Sequence, residues 1–214
     1  MNRKQIENHQ KEVVHMSRKE PTYEEYYMKA LIEKCLPEFK SLILSDKPDL
    51  ITRNKKIGIE VALCLPKDDK KFESLMFKRK RKPLVSGEIK WLHEYHKTHS
   101  IVLSDDNEEF VELVSKMVER KIGKKEQYTK TGKFGLAFVS RYIGEEQEAA
   151  KAYKEIFEQF KQQIDFLIVD IIDENCVIYI DKEKGVMRDY QEFEYDIAAR
   201  ATKMNTNARQ RRRN

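Results

Sequence analysis

The stretch SDKPDLITRNKKIGIEVALCL, residues 45–65, has the pattern of a tight hairpin that carries two carboxylates. Residues 57–65 alternate between two sets of side chains, which is the periodicity of a β-strand. One set is apolar and predicts a face toward a core, and the other consists of small residues around Glu60. Residues 48–51 predict a shorter first strand, and residues 53–56 supply a polar turn whose asparagine can adopt the left-handed conformation.

The length of this turn predicts that Asp49 lies opposite Glu60. A two-residue loop pairs Arg53 with Lys56 and a four-residue loop pairs Thr52 with Ile57, and both lead to the same register. Facing side chains in such a pair have Cβ atoms about 5 Å apart, and like charges there are destabilising. A cation between the two acids removes this repulsion, and a hard divalent ion such as Mg²⁺ prefers oxygen ligands. The other interpretation is a shifted register in which both acids are solvated.

The composition is that of a soluble protein with a heavily charged surface. The 214 residues suffice for one domain with extensions or for two small domains, and 37% of them are charged. The net charge is only +5, but basic residues gather in residues 67–82, 116–133 and 207–214. Taken together, these clusters favour a polyanionic partner, most simply nucleic acid, over charged faces that are merely solvated.

Several classes of protein are disfavoured by motifs that do not occur. The three cysteines are far apart with no C-x-x-C pair, which predicts reduced, buried thiols in a cytoplasmic protein. No run of 18 apolar residues and no signal-peptide core occurs, so we expect neither a membrane span nor secretion. Without a Gly-rich phosphate loop or a G-x-S-x-G motif, nucleotide-driven chemistry and serine hydrolysis are not indicated.

The chain divides into three parts by pattern. We expect a mobile N-terminal extension over residues 1–20, a single domain over residues 21–182 with an insertion at about 66–104, and a peripheral segment with a basic tail over residues 183–214. The insertion contains three histidines whose spacing and neighbours fit polar surface better than a zinc site. Within the domain the patterns predict a first helix that Pro21 and Thr22 open and Pro37 stops, strands at 41–44, 134–140, 166–172 and 176–180, and helices from about 107 and at 145–163.

The helix that begins at about Asn107 has one unusual feature. Its apolar stripe repeats at helical spacing, and Lys121 continues the stripe four residues after Met117. Lys124 and Tyr128 follow on the same side if the helix persists through Gly123, whose low helix propensity argues against it by about 1 kcal/mol. A lysine is therefore expected on an inward-facing side of this helix.

These residues and their order resemble the PD-(D/E)XK nuclease superfamily, whose core is a helix, three strands, a helix and a strand. Its signature is Pro-Asp on one hairpin strand followed by an acid-x-Lys on the next. Pro48 and Asp49 match the first part, and Glu60, Val61 and Ala62 occupy the second, with Ala62 in place of the motif lysine. The resemblance covers residues 23–181 except for the insertion.

The resemblance implies an α/β, restriction-endonuclease-like mixed sheet with flanking helices, an αβββαβ core plus an additional helix and strand pair. It also implies that Asp49, Glu60 and the carbonyl of Val61 hold Mg²⁺ or Mn²⁺ for the hydrolysis of DNA. Lys121 is the first candidate for the missing lysine, and Lys67 is the second. The alternative is a catalytically inactive nucleic-acid-binding or accessory protein on the same fold.

Further roles follow from the same resemblance. Related nucleases hold the DNA backbone with a Gln-x-x-x-Tyr pattern, and here Lys124 takes its first place and Tyr128 its last. We therefore expect Lys124, Lys125 and Tyr128 to contact nucleic acid. An acid on the first helix sometimes completes the metal site, and Glu25 and Glu33 are both candidates. Many relatives act as dimers, so a homodimer is also possible.

Overall fold

The computed structural model describes residues 21–65, 67, 71–72, 75, 83–99, 107–128, 130–142, 145–171, 176–183, 187–191, 201 and 203–204. The α-helices in this part of the chain are α1 (Tyr23–Cys35), α2 (Ser86–His99), α3 (Asn107–Ile122) and α4 (Glu146–Phe160). The strands are β1 (Leu42–Leu44), β2 (Leu50–Thr52), β3 (Ile57–Leu63), β4 (Lys133–Ser140), β5 (Phe166–Ile171), β6 (Cys176–Asp181) and β7 (Met187–Gln191).

The described strands form one mixed sheet in the order β1-β2-β3-β4-β5-β6-β7. The first three strands are antiparallel, β3, β4 and β5 run parallel to one another, and β6 and β7 return antiparallel. Each parallel step requires a crossover, which α3 provides between β3 and β4 and α4 provides between β4 and β5. The predicted α/β class with a mixed sheet and flanking helices is confirmed.

Helices cover both faces of the sheet, so two hydrophobic cores flank β3. Ile59 and Val61 pack with α1 in one core, whereas Ala62 and Cys64 pack with α3 and α4 in the other. The expectation of one core face and one face of small residues around Glu60 is therefore incomplete. The small side chains leave room on that face for a second layer of helices.

The first helix begins and ends where its sequence predicts. The backbone N–H of Glu25 donates to the Thr22 hydroxyl at 3.3 Å, and this N-cap satisfies one of the unpaired donors of the first turn. Leu36 closes the helix with a bond to Ile32, directly before Pro37. Tyr26 and Tyr27 of this helix are both buried in the same core, so they are not available for stacking on bases.

The hairpin register is the predicted one. Leu50 pairs with Ile59 and Ile51 with Gly58, and the same numbering places Asp49 opposite Glu60. The positive φ in the turn is at Lys55 (56°) and not at the preceding asparagine. The side-chain oxygen of Asn54 instead accepts hydrogen bonds from the Lys56 N–H and the Thr52 hydroxyl. With Asn54 held by these bonds, Lys55 adopts the left-handed conformation.

Two other expectations need correction or lie outside the described residues. Residues 187–191 are not merely peripheral, because they form β7 against β6, and Ala201 is fully buried in the core with α1. The insertion contains α2, whose His93 is exposed. The described residues do not include the side chains of the other two histidines or residues 1–20. They also leave out most of the basic clusters at 67–82 and 207–214.

Cys35, Cys64 and Cys176 are all buried and reduced. Among the described residues, no helix is both long enough and apolar enough to cross a bilayer.

Candidate metal centre

A cleft of about 420 Å³ opens where the second half of β3 meets the start of α1 and the end of α3. Four segments contribute to it: the first turn of α1, the connection from β1 to β2, β3 itself, and the chain from α3 to the following loop. The lining residues are Thr22, Glu24, Glu25, Ser45, Asp46, Lys47, Asp49, Glu60, Val61, Ala62, Leu63, Arg120, Lys121, Lys124, Gln127 and Tyr128.

Backbone contacts of the hairpin hold Asp49 over β3. The Val61 N–H donates to Oδ2 of Asp49 at 2.8 Å, which fixes the carboxylate beside the strand that carries Glu60. Gly58 makes this approach possible, because a Cβ at that position would lie 2.7 Å from Cγ of Pro48. The missing side chain lets Pro48 pack against β3, and Asp49 follows it directly.

Lys121 reaches the acid pair from the last turn of α3. Its Nζ donates to Oε1 of Glu60 at 2.5 Å and to the carbonyl oxygen of Val61 at 3.0 Å. The side chains of Lys121 and Glu60 are only 15% and 9% exposed, so water screens this ion pair poorly. The structure thus brings together Lys121, which the helical stripe predicted to face inward, and Glu60, which the hairpin pattern indicated as one of the paired acids.

One oxygen of Glu60 accepts no hydrogen bond of ordinary length and angle from the described residues. Oε2 is buried without a hydrogen bond, while Oε1 accepts from Lys121. An unsatisfied buried acceptor costs about 1–3 kcal/mol, and more when it carries charge. An oxygen in this state is a suitable ligand for a cation.

Of the two acids proposed on the first helix, the structure brings only Glu25 to the cleft. Glu25 is buried at 7% exposure and lines the cleft, whereas Glu33 pairs with Lys29 and lines a different surface depression. No group of three or more His, Cys, Asp or Glu side chains in the described part of the chain is arranged to hold a metal. A metal here would therefore depend on Asp49 and Glu60 together with a backbone oxygen.

The helix does not persist through Gly123, so the condition under which Lys124 and Tyr128 would continue the stripe of α3 is not met. The helix ends at Ile122, and a short 3₁₀ turn (Lys125–Gln127) follows Gly123, whose backbone freedom favours such an ending. Lys124 and Tyr128 nevertheless line the cleft, because the turn folds them back toward β3.

Tyr128 closes the back of the cleft with a neutral hydroxyl. It donates to the backbone carbonyl of Lys121 at 3.4 Å. Burial raises the pKa of Tyr128 well above its usual value, and the negative charge of Glu60, a hydrogen-bond interaction of the hydroxyl with Glu60 and the charge of Asp49 add to this effect in that order. The phenol therefore stays protonated at neutral pH and serves as a donor.

Two predicted residues are not brought to the cleft. Nζ of Lys125 donates to the Gln163 carbonyl at 2.5 Å and lies 5.3 Å from the ring centre of Phe134. Its partners lie in the turn after α4 and on β4, so the prediction of a nucleic-acid contact by Lys125 finds no support. Lys67 is exposed and does not line the cleft, so it is not placed to replace the missing lysine.

Several polar residues of the cleft were not predicted from the sequence, among them Lys47, Arg120 and Gln127. Nζ of Lys47 donates to Oε1 of Gln127 at 3.5 Å, a contact between residues 80 positions apart that joins two walls of the cleft. Arg120 lines the same cleft one residue before Lys121. The available signals were weak: Lys47 directly precedes the Pro-Asp pair, and Arg120 and Gln127 lie in the basic cluster of residues 116–133.

The cleft combines oxygen donors with ammonium and hydroxyl donors. Carboxylate and carbonyl oxygens suit hard divalent ions, while ammonium and phenol groups donate to anions or water. Comparison with models of protein families, with curated proteins and with solved structures finds no significant match to this chain.

Proposed function

We propose that this chain is a metal-dependent nuclease that hydrolyses phosphodiester bonds in DNA on a restriction-endonuclease-like fold. The observation that carries the proposal is the position of Lys121, whose Nζ contacts both Glu60 and the Val61 carbonyl. Position 62 on β3 is an alanine instead of the motif lysine, and Lys121 of α3 contacts Glu60 in its place. Acid pair and lysine are thus together despite the altered motif.

The arrangement of elements supports the fold part of this proposal. The expected core order of a helix, three strands, a helix and a strand corresponds to α1, β1, β2, β3, α3 and β4, with α2 in the insertion. The antiparallel hairpin and the parallel pairing of β3 with β4 place both acids beside the end of α3. The remaining helix and strand pair correspond to α4, β5 and β6.

The oxygen donors fit Mg²⁺ or Mn²⁺. Asp49, Glu60 and the carbonyl of Val61 would hold the ion, and Oε2 of Glu60 is a buried acceptor without a hydrogen bond among the described residues. Glu25 and Glu24 of α1 also line the same cleft, and Glu25 is the buried one of the two. A bound ion of this kind activates water and stabilises negative charge that develops on the scissile phosphate.

The donors around the acids have complementary roles in this function. Lys121 would orient the attacking water or donate to the phosphate, as a low-dielectric setting strengthens such a bond. Tyr128 offers a neutral hydroxyl, and Lys124, which is exposed at the same cleft, would contact the DNA backbone. Phosphate contacts of this type position the substrate without reading its sequence.

Cleavage of supercoiled plasmid and of single-stranded DNA with Mg²⁺ or Mn²⁺ tests the function. We expect EDTA to abolish cleavage and Lys121→Met to lower it by about 100-fold, because a donor positioned at the reacting group contributes about that factor. Lys151→Met removes the same charge from an exposed site on α4 and should leave the rate unchanged. DNA binding without cleavage under either metal would instead favour the inactive, nucleic-acid-binding alternative.

A further inference from the structure

The ammonium group of Lys121 contacts two groups that the proposed metal site uses, the carboxylate of Glu60 and the carbonyl of Val61. Its Nζ lies 2.5 Å from Oε1 of Glu60 and 3.0 Å from the Val61 carbonyl oxygen. Mg²⁺ requires ligand oxygens at about 2.0–2.1 Å in near-octahedral geometry. An ion that uses these two oxygens would therefore occupy nearly the same volume as the ammonium.

Two cations at this position exclude each other by charge as well as by volume. The Lys121–Glu60 pair is largely buried, so the repulsion between a dication and an adjacent ammonium is weakly screened there. A metal that used Oε1 of Glu60 would displace the ammonium from that oxygen, and a metal that used Oε2 would share the same carboxylate with the ammonium. In the first case the free energy of the existing ion pair is subtracted from the free energy of metal binding.

We propose, on the basis of the proposed nuclease function, that Lys121 is a built-in competitor of the metal and that substrate phosphate relieves the competition. The lysine side chain is a flexible four-carbon stem at the end of α3, and it opens into the cleft that Lys124 and Arg120 also line. A phosphate anion held by these three cations would accept hydrogen bonds from the Lys121 ammonium. The ammonium would then no longer contact Oε1 of Glu60 and the Val61 carbonyl oxygen. Metal and nucleic acid then strengthen each other's binding, because such coupling is reciprocal.

The direct test is calorimetric titration of Mn²⁺, without nucleic acid, into the wild type, Lys121→Met and Lys124→Met. Lys121→Met removes the competitor and keeps the length of the side chain, so we expect its Kd for Mn²⁺ to fall at least about tenfold. Lys124→Met removes the same charge from the same cleft but from a side chain that is exposed, so its Kd should change by no more than about threefold. Lys121→Gln repeats the test with a polar side chain should Lys121→Met fold poorly.

The outcomes separate this inference from the proposed function. Suppose that the wild type binds Mn²⁺ and that Lys121→Met and Lys121→Gln lower the Kd no more than Lys124→Met does. This result would overturn the competition and leave the nuclease proposal intact. Absence of Mn²⁺ binding in the wild type and in both Lys121 variants would overturn the metal site itself. Loss of the tightened binding when Glu60→Gln is added to Lys121→Met would support competition at this carboxylate.

A second titration measures the coupling to nucleic acid. A short duplex with phosphorothioate linkages keeps the backbone charge and resists cleavage. We expect it to lower the Kd for Mn²⁺ in the wild type by at least about fivefold more than in Lys121→Met, since coupling energies of this kind are commonly 1–3 kcal/mol. Equal effects of the duplex in the two proteins would overturn the role of phosphate.

Discussion

Glu60→Gln and Asp49→Asn are each expected to reduce metal-dependent DNA cleavage by about 10³-fold, which corresponds to about 4 kcal/mol of activation free energy. Each change keeps the shape of the side chain and removes one negative oxygen ligand. Glu60→Gln also deprives Lys121 of its ion-pair partner, whereas Asp49→Asn can keep the hydrogen bond from the Val61 N–H. The rate of plasmid cleavage and the affinity for Mn²⁺ measured by titration should both decrease in each variant.

The matched control for these variants is Asp46→Asn. Asp46 is an exposed carboxylate that lines the same cleft, so the variant changes the net charge of the cleft by the same amount. We expect its cleavage rate to stay within about threefold of the wild type, because exposed charges interact weakly through water. A Glu60→Gln protein that cleaves at the wild-type rate would show that hydrolysis does not occur at this acid pair.

Gly135→Ala is expected to destabilise the protein by about 3 kcal/mol, at the upper end of the usual cost of overpacking. A Cβ at this position of β4 would lie 2.2 Å from Cε2 of Phe166, whose ring covers the glycine. Phe166 is 1% exposed and packs against the rings of Phe39 and Tyr179, so it has little room to move. Thermal and urea unfolding should show a fall in Tm of about 10 °C.

Gly87→Ala provides the comparison for this effect. Gly87 lies in α2, and no heavy atom is within 4 Å of the position that its Cβ would take. Alanine there should stabilise by up to about 1 kcal/mol through its higher helix propensity. Equal stability of Gly135→Ala and the wild type would mean that Phe166 moves freely, contrary to its burial. Because Gly135 pairs with Ile59 beside Glu60, partial unfolding of β4 would also lower metal affinity.

Parts of the candidate site were predictable because they depend on short-range periodicity. The alternation of residues 57–65 and the length of the turn sufficed for the pairing of Asp49 with Glu60, since a one-residue slip would reverse every side chain of the strand. In the same way, the 3.6-residue repeat of α3 was enough to turn Lys121 inward. Both predictions needed only residues that are close in sequence.

Predictions that extended a local pattern past its end were less successful. The stripe of α3 stops at Ile122, and the turn that follows sends Lys125 toward Gln163 while it returns Tyr128 to the cleft. Residues 187–191 lacked a strong strand pattern and yet add β7 to the sheet, because β6 offers an edge with unpaired backbone groups. Backbone pairing of this kind depends on a neighbour far along the chain.

The hairpin, its acid pair and the inward lysine thus follow from sequence alone, because backbone geometry repeats over two or 3.6 residues whatever the rest of the chain does. The meeting of Lys121 with Glu60, 61 residues apart, depends on the tertiary structure. So does the choice of Glu25 over Glu33, since the two acids are on one helix and differ only in which cleft they line. Such contacts depend on how the sheet and helices pack, and no local pattern encodes that packing.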